Sequence, residues 1–329
     1  MCTALTMKSK DGLHFFGRNM DIEYSFNQAP HLIPRNFKYI NVIDNKEYQT
    51  KYAILGMGMS MDNHPMLAEG FNEKGLGCSG LNFPGYAYYE QEAVEGKINM
   101  GSFDFMFYIL ANFETVEELK AVVNDINLIH RSFKEPLQVV PLHWIVTDVN
   151  GECIVIEKTI EGMKVYDNKI GVLTNSPTFD YQITNLNQYL GLSSKNPANT
   201  SWDKLDLKPL GQGVGMLGIP GDYSPSSRFV KTAFTKAQIT QNDDEISTVN
   251  AFFHTLDTVA MVSGSVVTPD NKDDITLYSS CMCQETGIYY YKTYYNNQIN
   301  AIDMNKENLD ATEMKVFKYH NDQAINYQN

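Results

Sequence analysis

The residue best equipped for chemistry in this sequence is the second one. Met1-Cys2 precedes a strand-like run, Thr3-Ala4-Leu5-Thr6-Met7. Cysteine at position two is small enough for the initiator methionine to be trimmed, which leaves a free α-amine and a thiol on one residue. Their ordinary pKa values are about 7.7–8.0 and about 8.5, so a single residue supplies both nucleophile and base. The competing reading is a cysteine that stands there by accident, since a dipeptide is a weak motif. Other chemistries find less support. The seven histidines are scattered and pair into no metal or triad pattern, and no Gly-x-Ser-x-Gly elbow occurs. The Gly- and Met-rich segment from Gly56 to Asn63 is not followed by Gly-Lys-Ser/Thr, so it is no phosphate loop. Its thioethers suit an adaptable apolar pocket wall, with core packing as the alternative. Gly211-Gln212-Gly213-Val214-Gly215 lacks the strand-to-helix context of a nucleotide loop. Cys281-Met282-Cys283 has no second Cys or His cluster at ligand spacing. No metal and no cofactor are expected.

The elements that must position Cys2 are mostly strands. His14 to Met20 reads as a strand ending at Asp21, and Lys51 to Met57 and Gly75 to Phe83 as two more. Phe103 to Asn112 is apolar and long enough for a buried helix. Thr115-Val116-Glu117-Glu118 reads as a capping box opening a second helix, with Val116, Leu119, Val122, Val123 and Ile126 at helical spacing. Residues 128–141 form an apolar loop long enough to be functional. A meander follows over Leu142 to Asp148, Glu152 to Lys158 and Met163 to Tyr166, and a short strand over Ile170 to Thr174. Pro177 then holds Ser176 extended, so Asn175 stands where a strand opens into a loop. After a loop-rich stretch, 193–222, Ser224-Pro225 predicts a helix from Pro225 to about Ile239. Another should run from Asp244 to about Val262. Strands over Ile275 to Cys283, Gly287 to Tyr295 and Gln298 to Met304 close the chain, with Asn296-Asn297 as the last hairpin. Strands, two helices, strands, two helices, strands is the order of antiparallel sheets with helices packed outside.

Composition narrows the function classes. The 329 residues carry 26 Lys and Arg against 39 Asp and Glu, a net charge of −13. Without a basic run, nucleic acid is not an expected partner, and an anionic substrate must be held by a few local cations. The start lacks a secretory signal, and no apolar run approaches the roughly 18 residues of a membrane span. Five cysteines, Cys2, Cys78, Cys153, Cys281 and Cys283, are too few and too odd for a disulfide framework. A cytoplasmic protein with reduced thiols, and no membrane partner, is the expectation.

Ordered motifs along nearly the whole chain carry a resemblance. They are Met1-Cys2-Thr3, Phe16-Gly17-Arg18-Asn19-Met20-Asp21, Asn72-Glu73-Lys74-Gly75-Leu76-Gly77 and Gly80-Leu81-Asn82-Phe83. Further on come Leu173-Thr174-Asn175-Ser176-Pro177, Leu217-Gly218-Ile219-Pro220-Gly221-Asp222, Ser227-Arg228-Phe229, Gly287 to Tyr291 and Asp303 to Leu309. In these the chain resembles the choloylglycine hydrolases, the bile salt hydrolase and penicillin V acylase family of N-terminal nucleophile hydrolases. The resemblance implies an α+β fold, a four-layer α-β-β-α sandwich of two antiparallel sheets, as one domain over 1–329 with Met1 removed. By resemblance Cys2 is the nucleophile, and Asp21 the acid that hydrogen-bonds its amine. Arg18 is the cation beside the sulfur, which should favour the thiolate. Asn175 and the backbone N–H of Asn82 are the oxyanion donors, and Arg228 a further cation. Arg18 and Asp21 differ in strand parity, so both face one site only if the chain bends near Asn19-Met20.

The amide substrate is less legible. Penicillin V acylases of the family tend to carry tyrosine where Asn82 stands, which favours glycine- or taurine-conjugated bile salts. By position within the resemblance, Met20, Met61, Ala68, Asn82, Phe133, Leu137 and Leu142 line the pocket, and all but Asn82 are apolar, as burial of a sterol requires. Penicillin V or an N-acyl homoserine lactone is the alternative substrate. Outside this class stand a non-catalytic steroid-binding protein and a thiol redox sensor built on Cys281 and Cys283. The resemblance also implies a homotetramer.

Overall fold

Strands buried on both faces dominate the protein. The computed structural model describes residues 1–329. Its principal strands are β1 (Cys2–Lys8), β2 (His14–Ile22), β3 (Ala29–Ile33), β4 (Ile54–Met61), β5 (His64–Asn72), β6 (Gly77–Asn82) and β7 (Leu142–Thr147). They continue with β8 (Cys153–Thr159), β9 (Gly162–Asp167), β10 (Val172–Leu173), β11 (Ile275–Cys283), β12 (Ile288–Thr293), β13 (Asn296–Asp303) and β14 (Lys315–Val316). The helices are α1 (Ser102–Asn112), α2 (Val116–Val122), α3 (Phe179–Asn185), α4 (Pro225–Gln238) and α5 (Glu245–Asp257). One antiparallel sheet has the order β10-β1-β2-β11-β12-β13, and the other β9-β8-β7-β6-β5-β4-β3-β14.

Side-chain alternation sets the layers. Leu55, Leu81, Ile145 and Val155 of the second sheet join the cluster shared with the first sheet. Their neighbours Ile54, Trp144, Val146, Ile154 and Ile156 point the other way, into a cluster with Phe105, Leu110 and Leu119 of α1 and α2. Phe229 and Ala233 of α4 and Phe252 and Leu256 of α5 cover the first sheet. The result is the expected α-β-β-α sandwich.

Several boundaries differ from the sequence reading. Most of the Gly- and Met-rich segment is strand: β4 begins at Ile54, three residues after the expected start, and runs past the expected end at Met57 to Met61. A Cβ on Gly58 would stand 2.3 Å from the Met66 carbonyl oxygen on β5, so glycine here marks close strand approach. Met57 is core, whereas Met59 and Met61 are half-buried. Among the strands that went unread are β3, which contains Pro30, and β5, whose apolar pattern is broken by Pro65, Glu69 and Gly70; β14 is another, and so is Ile126–Ile129, where the sequence reading has the end of a helix and the start of a loop. Thr115 Oγ1 accepts from Glu118 N (3.2 Å) as expected, but the Glu118 carboxylate takes the N–H of Glu114, not of Thr115. Ser224 begins α4 without capping it through its side chain. Instead Asp222 accepts from Ser224 N (2.9 Å) and Ser227 Oγ (2.7 Å). The helix expected to reach Val262 stops at Asp257, and the last hairpin turns at Tyr294-Tyr295, with Asn296 already in β13.

Gly17 shows how tightly β2 is held. A Cβ there would lie 2.1 Å from the Ser280 carbonyl oxygen on β11, and backbone cannot yield as a side chain can. Gly17→Ala should therefore destabilise the fold by about 1–3 kcal/mol and displace the adjacent Arg18. A thermal melt indistinguishable from the parent's would contradict this.

Candidate active site

The first two strands pair so that Cys2 lies opposite Met20 and Ala4 opposite Arg18. Alternation then sends Cys2, Arg18 and Met20 toward the second sheet, and Thr3, Asn19 and Asp21 toward the helices. Contacts follow that division. Arg18 Nη1 donates to Ala68 O (3.1 Å), Ser79 Oγ (3.1 Å) and Gly80 O (2.7 Å), all in the second sheet. Asn19 Nδ2 donates to Leu256 O of α5 (3.0 Å). No bend near Asn19-Met20 is needed: β2 is unbroken from His14 to Ile22. Arg18 and Asp21 stand on opposite faces of one sheet, the first at the Cys2 sulfur and the second at the main chain of Met1. The ladder irregularity lies on the neighbouring strand, between Thr276 and Tyr278 of β11.

Arg18 is fully buried and donates through Nη2 to Cys2 Sγ and to Met20 Sδ (3.6 Å). Burial alone would lower its pKa, but Cys2, Glu69, Tyr278 and Asp21 outweigh burial and raise it. The guanidinium is thus a fixed positive charge against the thiol.

On the other face, Arg228 of α4 is equally buried. Its Nη1 donates to Cys2 O and to Thr3 Oγ1 (2.7 Å), and its Nη2 to Asn175 Oδ1 (2.7 Å). Burial lowers its pKa, opposed by Asp21, Cys2 and Asp274. Asn175, just past β10, is the hub: Oδ1 also accepts from Cys2 N (2.9 Å), and Nδ2 donates to Asn82 O (2.7 Å). Nδ2 has a second hydrogen for an oxyanion. Asn82 ends β6 opposite Leu142. Phe83 N bonds Pro141 O (2.8 Å), so ladder alternation turns the Asn82 N–H away from β7.

With Met1 in place, Cys2 N is a peptide nitrogen whose one hydrogen goes to Asn175. This is why Asp21 does not bond that nitrogen as the sequence reading expects. Asp21 holds Met1 instead: its carbonyl accepts from the Met1 amine, and its N–H donates to Met1 O (2.9 Å). The Asp21 carboxylate accepts from Thr276 Oγ1 (2.6 Å), leaving Oδ2 buried and unpaired. Asp274 stands beside it, with Oδ2 3.4 Å from the Met1 nitrogen and Oδ1 unpaired. Burial pushes the Asp21 carboxyl up, while Arg228, the terminal amine and Thr276 pull it back. Two free buried oxygens at the head of β1 are acceptors for a cationic amine.

The residues expected to line the pocket fall into three groups. Met20 and Ala68 flank Arg18. Leu142 sits opposite Asn82. Met61, Phe133 and Leu137 are half-buried on two neighbouring segments, joined where Lys134 Nζ bonds Asp62 Oδ2 (2.7 Å) and Phe133 stacks on His64 at 4.7 Å.

Sequence reasoning missed Glu69, Asp274, Thr276 and a buried pair, His143 and Glu157. His143 stacks on Phe83 at 4.2 Å, and its Nε2 lies 3.1 Å from Thr174 O, so it braces the chain beside both Asn82 and Asn175. Its Nδ1 lies 3.1 Å from Glu157 Oε1. The available signal was a charged or polar residue inside an otherwise apolar strand: Glu69 in β5, His143 in β7 and Glu157 in β8. Asp274 and Thr276 gave no such signal. No group of three or more His, Cys, Asp or Glu side chains is arranged to hold a metal ion. No helix is long and apolar enough to cross a membrane.

A thiol against a guanidinium, a main-chain nitrogen on the same residue and a side-chain amide donor a few ångströms away suit acyl transfer from an amide. Comparisons with known proteins agree with that chemistry. The family model described as linear amide C–N hydrolases, choloylglycine hydrolase family, matches residues 2–317. The chain is 52% identical over 329 residues to the bile salt hydrolase/transferase of Clostridium perfringens, covering 100% of both chains. It is 42% identical over 315 residues to the bile salt hydrolase/transferase of Lactiplantibacillus plantarum, covering 95% of each. A crystal structure of a mutant conjugated bile acid hydrolase from Clostridium perfringens superposes with a TM-score of 0.95 at 51% identity, both chains being covered completely.

Proposed function

The chain belongs to the choloylglycine hydrolase family of linear amide C–N hydrolases, and we propose that it hydrolyses the amide bond of glycine- or taurine-conjugated bile salts. The observation that carries the reaction is the convergence on Cys2 of Arg18 at the sulfur and Asn175 at the nitrogen. The bile-salt assignment rests on the similarity to proteins of that name and on asparagine at position 82.

In the proposed cycle Met1 is removed and the whole of 1–329 works as one N-terminal nucleophile hydrolase domain. The Cys2 thiolate attacks the amide carbonyl, and the resulting oxyanion is held by Asn175 Nδ2 and the Asn82 N–H. The C–N bond breaks as the amine leaves with a proton from the Cys2 α-amine, which the free oxygens of Asp21 and Asp274 orient. Water then adds to the thioester and gives a proton to that amine, and the C–S bond breaks to release the bile acid and restore the Cys2 thiolate. Arg228 offsets charge on the main-chain side. Every group the cycle uses belongs to the chain. Met20, Met61, Ala68, Phe133, Leu137 and Leu142 contact the sterol. An amine in place of water would carry the acyl group to a new amide, the second activity in the names of the two relatives. The proposal also includes a cytoplasmic location, supported by the odd, sparse cysteines, and a homotetramer, supported by the family resemblance.

The test is amine release from glycocholate, taurocholate and penicillin V in parallel, with intact mass to establish loss of Met1. Release from a bile salt well above that from penicillin V is expected. Release from penicillin V alone would keep the mechanism and replace the substrate. No release from trimmed protein would overturn the proposal in favour of steroid binding without catalysis.

A further inference from the structure

Arg18 has one carboxylate within ion-pair distance, and it comes from the opposite sheet. Glu69 of β5 is fully buried between the sheets, with Oε2 3.9 Å from Arg18 Nε. Tyr278 of β11 donates its hydroxyl to Glu69 Oε2 (2.8 Å), and Tyr289 of β12 donates to Oε1 (2.6 Å). Both carboxyl oxygens thus accept from phenols, an arrangement that suits an ionised acid. The other oxygen acceptors around Arg18 are neutral: Asn19 O (3.3 Å), Ala68 O, Ser79 Oγ and Gly80 O. The cation is therefore flanked by two groups able to carry negative charge, Glu69 on one side and the Cys2 thiol on the other.

Resting on the reading of Cys2 as nucleophile, we propose that Glu69 is a positioning residue that shares the charge of Arg18 with the Cys2 thiolate. Without Glu69, the buried guanidinium would have the thiolate as its only negative partner at ion-pair range, with Asp21 acting from the other face of the sheet. The thiol would then ionise at lower pH, but its thiolate would attack more weakly, since nucleophilicity falls as basicity falls. Glu69 sets that balance. The two phenols fix the carboxylate, and the carboxylate holds the guanidinium plane toward Cys2. Burial pushes the Glu69 carboxyl up, with Arg18, Tyr289 and Tyr278 acting against it, so the device operates above the pH at which Glu69 takes up a proton.

Glu69→Gln preserves the side chain's size and removes its charge. The pH midpoint of Cys2 alkylation by iodoacetamide, followed on the N-terminal peptide by mass, should move down by about one unit. Turnover should fall about tenfold with KM nearly unchanged. Glu69→Asp, which retains the charge, should keep the parent midpoint. An unmoved midpoint in folded Glu69→Gln, or equal losses of turnover in both variants at the parent midpoint, would reduce Glu69 to a packing role and overturn the proposal. Should Glu69→Gln fail to fold, Tyr289→Phe is the substitute: weakening the carboxylate should lower the midpoint by a smaller step, and no change would overturn the proposal. If parent enzyme with fully alkylated Cys2 still hydrolyses amide, the nucleophile reading fails instead, so the two failures are distinguishable.

Discussion

Cys2→Ser is expected to lower amide hydrolysis by roughly 10³-fold or more while leaving the fold intact. The reaction as proposed forms a thioester, and serine at this position has neither the acidity nor the nucleophilicity of a thiol. Removing a nucleophile that acts as part of a unit forfeits most of the unit's contribution. The structure explains why the fold should tolerate the change. Cys2 is 5% exposed, but its main-chain contacts to Asn175 and Arg228 involve N and O atoms that serine keeps. Arg18 keeps its carbonyl and hydroxyl acceptors in the second sheet. Serine is also small enough to permit methionine removal, so the comparison is between equally processed chains. Turnover within about tenfold of the parent, at an unchanged melting temperature, would remove Cys2 as nucleophile.

The second large effect is expected at Asn175. Asn175→Ala should reduce turnover by about 10²–10³, the usual consequence of removing one oxyanion donor. It also frees Cys2 N and Arg228 Nη2 from their shared acceptor, so the loss should fall at the upper end. Asn175→Asp separates these contributions. The aspartate keeps an oxygen for Cys2 N and Arg228 but places an acceptor where Nδ2 now donates to Asn82 O at 2.7 Å. Two facing acceptors repel, so activity should be lost at least as completely, with thiol alkylation at Cys2 retained. A drop of less than about tenfold in both variants would mean that Asn175 organises the site without serving the oxyanion.

The motif residues were legible for different reasons than their partners. Cys2 is legible because its chemistry depends on its place in the chain, which sequence states outright. Gly17 and Asn175 are legible as parts of motifs, although the reason for each is tertiary: Ser280 O against Gly17, and Cys2, Arg228 and Asn82 around Asn175. The parity of Arg18 and Asp21 was read correctly and its consequence was not. A two-residue alternation tells which residues share a face, but not that a functional residue at the head of a strand is approached from both faces. The far end of β4, beyond Met57, was not legible for a related reason. Poor strand propensity at Gly56 and Gly58 is overridden by close pairing with β5.

The sequence alone determined the family and much of the division into strands and helices, and it singled out Cys2 as the candidate nucleophile, because these depend on local pattern and on motifs read in order. Tertiary structure alone decided the electrostatics. Glu69 reaches Arg18 from the other sheet, and Asp274 reaches the head of β1 from 273 residues away. His143 and Glu157 brace the chain beside Asn82 and Asn175 from inside the second sheet. The physical reason is that charge interactions depend on separation and burial, and neither quantity exists until the two sheets have packed face to face.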